Sequence, residues 1–267
     1  MKNLENKVVF ITGVSSGIGL AVAKKFIDCG SIVYGVGRKD FELAGLNYSK
    51  VDITNFDNIK SEIDKVSKKE GKIDIVISNA GMGISGPVEY ATSEEIEKIF
   101  DINLIGSANV IRAVLPVLRT QGYGRIVCTS SVGSYVALPF QAFYSASKAG
   151  LDALVDATRS EVKAFGVEIL CVHPGDVKTG FTGARKKQEL AEGNPYKKIC
   201  DNAISSMEKD EQGGMPPEYV ANKIVKIATK KGYKTRNIIG GKYKFFTFAL
   251  SLLPRKVQEW AVRKMYF

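Results

Sequence analysis

The sequence predicts an α/β fold in which about seven strands form a doubly wound parallel sheet with helices on both faces. Apolar, strand-like runs alternate with segments whose apolar residues recur every three or four positions along the whole chain. Runs such as IDIVIS and VEILCV are apolar at nearly every position, which is typical of strands buried on both faces. With 267 residues, 45% of them hydrophobic, the chain can bury one large core, so we expect a single domain over residues 1–267.

The elements follow in order along the chain. Strands are predicted at residues 8–12, 31–36, 73–78, 125–130, 167–172 and 237–239, with a shorter strand ending at Val51. Helices are predicted at residues 17–29, 55–69, 94–118, 143–164 and 217–231. The polar, Lys-rich segment 181–215 is expected to be a mobile substrate-loop insertion with one or two short helices. Residues 242–267 form an amphipathic tail whose FFTFALSLLP run is too short to span a bilayer.

The net charge of +10 is confined to the last third of the chain. Residues 1–180 hold 20 basic and 20 acidic residues, whereas residues 181–267 hold 18 and 8. Such asymmetry is compatible with solubility, attraction to anionic lipid or attraction of an acidic substrate. No nucleic-acid recognition motif accompanies it, so we expect no nucleic-acid partner.

The four cysteines are widely spaced and the chain has one histidine, His173, which argues against a zinc site. We therefore expect no metal, and we interpret His173 as structural, with no partner near it in the sequence. No pattern of a secretory signal peptide opens the chain, so a cytoplasmic location is expected.

A glycine-rich turn, TGVSSGIG at residues 12–19, follows the first strand and opens the first helix. Its glycines allow the backbone to approach a pyrophosphate at the helix N-terminus, although a tight turn without a ligand has the same pattern. The second strand ends in YGVGRKD, where Arg38 and Lys39 precede any carboxylate. In dinucleotide-binding folds a basic residue here accommodates a 2′-phosphate, so NADP(H) is favoured over NAD(H). Two solvated turn cations are the alternative.

Tyr144 and Lys148 lie one helical turn apart, so their side chains share a helix face. A phenol has a pKa near 10, and a neighbouring ammonium favours the phenolate, which would suit proton transfer at neutral pH. As an isolated pair, two surface residues would have the same spacing.

Several motifs at characteristic spacing give the chain a resemblance to the short-chain dehydrogenase/reductase family. They are TGVSSGIG, SNAG at residues 78–81, DINLIG at 101–106, TSSVGSYVALPFQAFYSASK at 129–148 and HPGDVKT at 173–179. The resemblance implies a Rossmann-like fold and a catalytic set of Asn103, Ser131, Tyr144 and Lys148. In that set Ser131 bonds the substrate oxygen, Tyr144 transfers the proton, Lys148 holds the nicotinamide ribose and Asn103 holds a relay water.

The resemblance also implies binding residues. The expected cofactor-binding residues are Gly13, Ser15, Ser16, Gly17, Ile18, Gly19, Arg38, Lys39, Asp52, Ile53, Asn79, Ala80, Gly81, Tyr144, Lys148, Pro174, Gly175, Val177 and Thr179. The expected substrate-binding residues are Ser131, Val132, Tyr135, Leu138, Phe140 and Tyr144.

Together these features predict an NADP(H)-dependent oxidoreductase that interconverts a secondary alcohol and a ketone. NAGMGISGP and SSVGSYVALPFQAFY resemble the corresponding stretches of hydroxysteroid and retinol dehydrogenases. With the basic insertion, this favours an apolar, anionic substrate such as a bile-acid-like steroid; retinol or another lipophilic carbonyl compound is the alternative. A catalytically silent NADP-binding sensor or scaffold is the rival of another class. We expect a homo-oligomer, a dimer or tetramer, and the tail either caps the pocket, packs between subunits or rests on a membrane surface.

Overall fold

The computed structural model describes residues 4–266. Its strands are β1 (Val8–Thr12), β2 (Ile32–Gly37), β3 (Leu46–Lys50), β4 (Ile75–Ser78), β5 (Ile84–Ser85), β6 (Gly124–Thr129), β7 (Val167–Pro174), β8 (Lys186–Lys187) and β9 (Arg236–Ile239). Seven of them form a parallel sheet in the order β3-β2-β1-β4-β6-β7-β9, and β5 pairs with β8 in a small separate sheet.

Ten α-helices connect and flank these strands in the described part of the chain. They are α1 (Gly17–Asp28), α2 (Phe56–Glu70), α3 (Ser93–Phe100), α4 (Gly106–Gln121), α5 (Ala142–Val162), α6 (Phe181–Ala184), α7 (Lys197–Gln212), α8 (Pro217–Thr229), α9 (Gly241–Ser251) and α10 (Arg255–Tyr266).

Helices cover the sheet on both faces, and successive strand residues point to opposite faces. Val8 and Phe10 of β1 pack with side chains of α2, α4 and α5, whereas Val9 and Ile11 pack with side chains of α1 and α8. All four side chains are fully buried. This explains the almost continuous apolar runs in the sequence.

The chain order places a crevice beyond the carboxyl ends of the central strands. After β1 the sheet grows outward through β2 and β3, and it then reverses direction at β4 on the other side of β1. Loops leaving β1 and β4 therefore diverge, which is where open α/β sheets bind their ligands.

Residues 94–118, predicted as one helix, are broken by a π-helical turn. The run consists of α3, a π-helical turn at Asp101–Ile105, and α4. Among the described residues, Ser93–Gln121 is the helical segment whose length and composition would allow it to cross a membrane. More than half of its most apolar stretch is buried inside the protein. That burial is typical of a core helix.

The insertion at residues 181–215 is more ordered than the sequence indicates. It holds α6, β8 and the 16-residue α7, whose Cys200, Ala203, Ile204 and Met207 are buried at helical spacing. In the tail, α9 covers residues 241–251 and α10 covers the amphipathic segment that follows.

Candidate active site

A cavity of about 1120 Å³ occupies the crevice at the carboxyl ends of β1, β2, β4, β6 and β7. Its wall combines the glycine-rich turn, the end of β2, the first turns of α5 and residues from the insertion and tail. Its size and concave shape fit a dinucleotide and a second ligand better than a small molecule alone.

The glycine-rich turn is packed backbone against backbone. Gly13 has φ +71°, and a Cβ there would lie 2.9 Å from the Cα of Ala80. A Cβ on Gly19 would lie 2.1 Å from the carbonyl oxygen of Gly13. These positions thus require glycine, and the turn brings the N-terminus of α1 to the cavity.

That helix N-terminus is suited to a phosphate. The N-cap Ser16 makes no side-chain capping bond and the first turn of α1 contains no acidic residue. By contrast, the side chains of Asn55 and Thr92 cap α2 and α3. The first amides of α1 and the positive end of its dipole therefore face the cavity, as in sites that bind a pyrophosphate.

Thr12 joins the ends of β1 and β4 beside this turn. Its fully buried hydroxyl accepts hydrogen bonds from the backbone N–H groups of Asn79 and Ala80, each at 3.0 Å. The two bonds fix the Asn79–Gly81 loop, which forms part of the cavity wall.

The end of β2 carries an excess of positive charge. Arg38 and Lys39 are exposed on the cavity wall, while the nearby carboxylate of Asp40 pairs with the Nζ of Lys50 at 3.0 Å. Asp52 lies on the same wall and accepts hydrogen bonds from the N–H and hydroxyl of Thr54. The arrangement fits the extra phosphate of NADP(H).

Lys148 lies on the buried face of α5 and contacts the end of β6. Its Nζ donates a hydrogen bond to the carbonyl oxygen of Thr129 at 2.8 Å. Burial lowers the pKa of this ammonium to about 8, and the Cys171 and Cys128 thiols and Asp152 oppose the shift. The group is thus charged at pH 7 but close to titration.

Tyr144 lies one turn earlier on α5, with Ser131 across the cavity wall. Burial raises the pKa of the Tyr144 phenol, a hydrogen bond with Ser131 and the charge of Arg185 lower it, and Glu211 raises it. The pKa of Tyr144 is raised overall. Lys148, which the sequence predicts to lower this pKa, is not among the groups that do so. The phenol is therefore a proton donor at neutral pH.

Asn103 lies on the π-helical turn behind the cavity wall. Its Nδ2 donates to the Met82 carbonyl and the Ser147 hydroxyl, each at 3.0 Å, and its Oδ1 accepts from the Met82 N–H at 2.8 Å. Both amide hydrogens are used, so the side chain positions the loop next to Gly81.

Most of the predicted site residues line one continuous cavity. The residues in its wall are Gly13, Ser15, Ser16, Gly17, Ile18, Arg38, Lys39, Asp52, Ile53, Asn79, Ala80, Gly81, Ser131, Val132, Leu138, Tyr144, Lys148, Pro174, Gly175, Val177 and Thr179.

Four predicted site residues lie outside the cavity wall: Gly19, Asn103, Tyr135 and Phe140. Gly19 is held against the Gly13 carbonyl, and Asn103 is held behind Gly81. The Tyr135 ring instead packs edge-on against His173, with ring centroids 4.8 Å apart. Phe140 adopts a left-handed backbone with φ 59°, and its carbonyl accepts a hydrogen bond from the N–H of Gly86.

His173 has a partner, contrary to the expectation from the sequence. Its Nε2 lies 2.9 Å from Asp152 Oδ1, and both side chains are buried. Burial raises the pKa of Asp152, but hydrogen bonds from His173 and Ser134 outweigh burial and leave it below its ordinary value. The pair joins α5 to β7 behind Ser131.

The cavity wall also includes residues from the insertion and the tail that the sequence did not indicate: Phe181, Ala184, Asp210, Glu211, Lys242, Tyr243 and Phe246. Tyr243 packs against Gly175, where a Cβ would meet its ring at 2.2 Å, and its hydroxyl donates to Asp176. The Phe181 ring lies 6.0 Å from the ring of Tyr144. The aromatic residues 243 and 246 at helical spacing were the only sequence signal for this wall.

The cationic insertion is held by carboxylates. Arg185, whose side chain is fully buried, pairs with Glu211, while Lys186 pairs with Glu95 and Lys187 with Glu208. These ion pairs tie residues 185–187 to α3 and α7 and leave little free positive charge for an anionic substrate.

Comparison with known proteins identifies the family. The sequence profile of the short chain dehydrogenase family matches residues 7–190. The chain belongs to this family. This short chain dehydrogenase is 35% identical to a 3-ketodihydrosphingosine reductase of Bacteroides thetaiotaomicron, with 98% of the chain and 99% of that protein covered. It is 31% identical to an NADPH-dependent 3-dehydrocapnine reductase of Ornithobacterium rhinotracheale, with 93% of each covered.

The fold comparison agrees. The chain superposes on a short-chain dehydrogenase from Streptomyces avermitilis with a TM-score of 0.84, 28% identity and 96% of each chain covered. The family and the Rossmann-like, doubly wound fold predicted from the sequence are confirmed, and the protein is an oxidoreductase.

Proposed function

We propose that this short chain dehydrogenase uses NADPH to reduce the ketone of a long-chain amino ketone of the 3-ketosphingoid type. The observation that carries the proposal is that Ser131, Tyr144 and Lys148 share one cavity wall with the apolar side chains of Leu138, Phe181, Ala184 and Phe246. Apolar lining of this kind suits an alkyl chain.

The named relatives support this substrate over a steroid. Two of them, covering nearly the whole chain, reduce 3-ketodihydrosphingosine and 3-dehydrocapnine by name, and the second is NADPH-dependent by name. Neither name refers to a steroid or to retinol. We therefore propose a long-chain ketone in place of the bile-acid-like steroid that the sequence favoured.

The charges contributed by the insertion and the tail favour a cationic head group. Asp210 and Glu211 lie in this part of the cavity wall together with Lys242, and Asp176 lies in the wall as well. Glu211 is neutralised by Arg185, which leaves Asp210 exposed at the wall. A protonated amine beside the ketone would meet this carboxylate, whereas an anionic head group would be repelled.

The cofactor site fits NADP(H) at three points. The amides at the start of α1 would hold the pyrophosphate, Arg38 and Lys39 would hold the 2′-phosphate, and Lys148 would hold the nicotinamide ribose. When bound, the nicotinamide supplies the hydride that reduces the carbonyl carbon.

The chain itself provides orientation and a proton. The Ser131 hydroxyl would hold the ketone oxygen, and the phenol of Tyr144, kept protonated by its raised pKa, would donate its proton to that oxygen. The hydrogen bond with Ser131 and the charge of Arg185, which both lower the Tyr144 pKa, would stabilise the phenolate left behind. The Asp152–His173 pair would keep the Ser131 loop in place.

The test is NADPH oxidation with 3-ketodihydrosphingosine and its N-acetyl derivative, together with NADP+ reduction with hydroxysteroids, retinol and simple alcohols. We expect turnover of the amino ketone and a weaker response to the uncharged N-acetyl form. Tyr144→Phe should reduce kcat by about 10²–10⁴-fold while the Kd for NADPH stays near normal. Efficient steroid turnover without sphingoid turnover would refute the substrate, and NADPH binding without turnover on the whole panel would favour a silent sensor.

A cytoplasmic location and a homo-oligomeric state, dimer or tetramer, stay predictions. Cell fractionation and sedimentation equilibrium of the full chain test them.

A further inference from the structure

The C-terminal helices expose an unusually apolar surface. Six large side chains stand out from α9, α10 and the turn between them: Phe245, Phe248, Leu252, Leu253, Val257 and Trp260. Phe245 is 75% exposed, Leu252 69% and Trp260 61%. We call these six residues the tail face. Exposed apolar side chains concentrated in one short stretch of the chain mark an interaction surface.

The tail face is one side of a helix whose other side is already occupied. On α9, Phe245, Phe248 and Leu252 follow helical spacing on the outside, whereas Thr247 and Leu250 are buried. Tyr243 and Phe246 on the inner side line the cavity. The helix is therefore held by its inner side, whereas Phe245 and Phe248 on its outer side are exposed.

The charges around the tail face indicate the partner. Residues 241–264 contain six basic residues and one acidic residue. All six basic side chains are exposed, and Glu259 lies 3.5 Å from Arg255. A second copy placed symmetrically on this face would bring six cations against six cations, which costs free energy. An anionic bilayer presents the opposite charge and an apolar interior, and it suits Trp and Phe at its boundary.

We propose that the tail face docks on an anionic lipid bilayer. The apolar side chains would enter the boundary between head groups and acyl chains, and Lys244, Lys256 and their neighbours would contact the head groups. Because Lys242 and Phe246 of the same helix line the cavity, docking would bring this wall of the cavity close to the membrane. A lipophilic ligand would then travel only a short way between bilayer and cavity.

Binding of the full chain to vesicles tests this without any turnover. The two vesicle types are phosphatidylcholine alone and an equimolar mixture of phosphatidylcholine and phosphatidylglycerol. Trp260 is the only tryptophan of the chain, so its emission reports directly on the tail face. We expect co-sedimentation and a blue shift with the anionic vesicles, both reversed by high salt, and neither with phosphatidylcholine alone.

Variants separate the apolar and electrostatic contributions. Phe245→Ser/Phe248→Ser and Lys244→Gln/Lys256→Gln should each weaken vesicle binding by about tenfold or more. Phe165→Ser is the matched control, because Phe165 is 44% exposed and lies before the amino end of β7, whereas the tail follows the carboxyl end of β9. It should bind vesicles like the unmodified chain.

Two results would overturn the proposal. The first is a full chain that stays in the supernatant with anionic vesicles at low salt. The second is a dimer in sedimentation equilibrium that the Phe245→Ser/Phe248→Ser change dissociates, since the tail face would then belong to a second copy. Either result leaves the proposed reductase activity standing.

Discussion

Replacing Arg38 by alanine should weaken NADPH binding while leaving NADH binding unchanged. Arg38 and Lys39 lie on the cavity wall at the end of β2, and the one carboxylate beside them, Asp40, pairs with Lys50. The 2′-phosphate is the part of NADPH that NADH lacks, so the effect should be confined to NADPH.

The magnitude follows from the exposure of the guanidinium. A hydrogen bond to a charged group contributes about 1.5–3 kcal/mol when shielded from water. Arg38 is exposed, so solvent screening reduces the expected loss to about 1–2 kcal/mol. That corresponds to an increase of about 5–30-fold in the Kd for NADPH.

Fluorescence titration of both nucleotides against the Arg38→Ala protein measures the change. Lys60→Ala is the control, since Lys60 is an exposed lysine of α2 outside the cavity wall and pairs with Asp64 at 2.5 Å. It should leave both Kd values unchanged. Arg38 does not bind the 2′-phosphate if Arg38→Ala weakens NADH binding as much as NADPH binding, or if the NADPH effect does not decrease with added salt.

Three further predictions concern the catalytic pair and the fold. Ketone reduction needs the Lys148 ammonium, whose pKa is about 8, so kcat should fall above about pH 8. The raised pKa of Tyr144 keeps the phenol protonated over the same range. A pH profile without this fall would contradict the role of Lys148. Burial raises the pKa of Asp74, but the Lys7 ammonium and a backbone N–H outweigh burial and leave the pKa below its ordinary value. The ionised carboxylate therefore stabilises the folded state above the unfolded pKa near 4, and this stabilisation is lost as pH falls. Asp74→Asn should thus lower the free energy of unfolding by about 2 kcal/mol at pH 7, measured in urea, with a smaller loss near pH 3. Gly19→Ala should lower stability by about 1–3 kcal/mol and weaken NADPH binding together, because its Cβ would overlap a backbone carbonyl at 2.1 Å; unchanged thermal unfolding would show that the turn can relax.

The sequence predicts the sheet well because its signals are local. Strands β1, β2, β4, β6 and β7 are mostly apolar runs and each main helix has apolar residues at helical spacing, so these elements are visible in windows of about ten residues. β3, with the sequence LNYSK, is largely polar and gives a weaker signal. β5 and β8 have two residues each and are too short to show any period. Within α7, the buried positions are masked by the lysines and acids around them, which is why that segment was expected to be a mobile insertion.

In the candidate site, too, the residues that the sequence predicts are those whose partners are close in the chain. The glycine-rich turn and the Tyr144–Lys148 pair are recognisable because the residues that act together are close in sequence. Glu211 and Tyr243 enter the cavity wall from α7 and α9, and no local pattern connects them to Tyr144. The His173–Asp152 pair joins residues 21 positions apart and depends on how α5 packs on β7.

The π-helical turn at Asp101–Ile105 has a further consequence for how this site is encoded. Its closing bond runs from the N–H of Gly106 to the carbonyl of Asp101, five residues back, so the helix carries one surplus residue. Deleting one residue from this turn would restore an ordinary helix. The helical residues before the deletion would then rotate about the helix axis by about a quarter of a turn relative to α4. The bonds that Asn103 makes to Met82 would be broken although no side chain at the cavity had been replaced. Part of the site is thus specified by chain length, and a substitution scan would overlook it where a deletion scan would not.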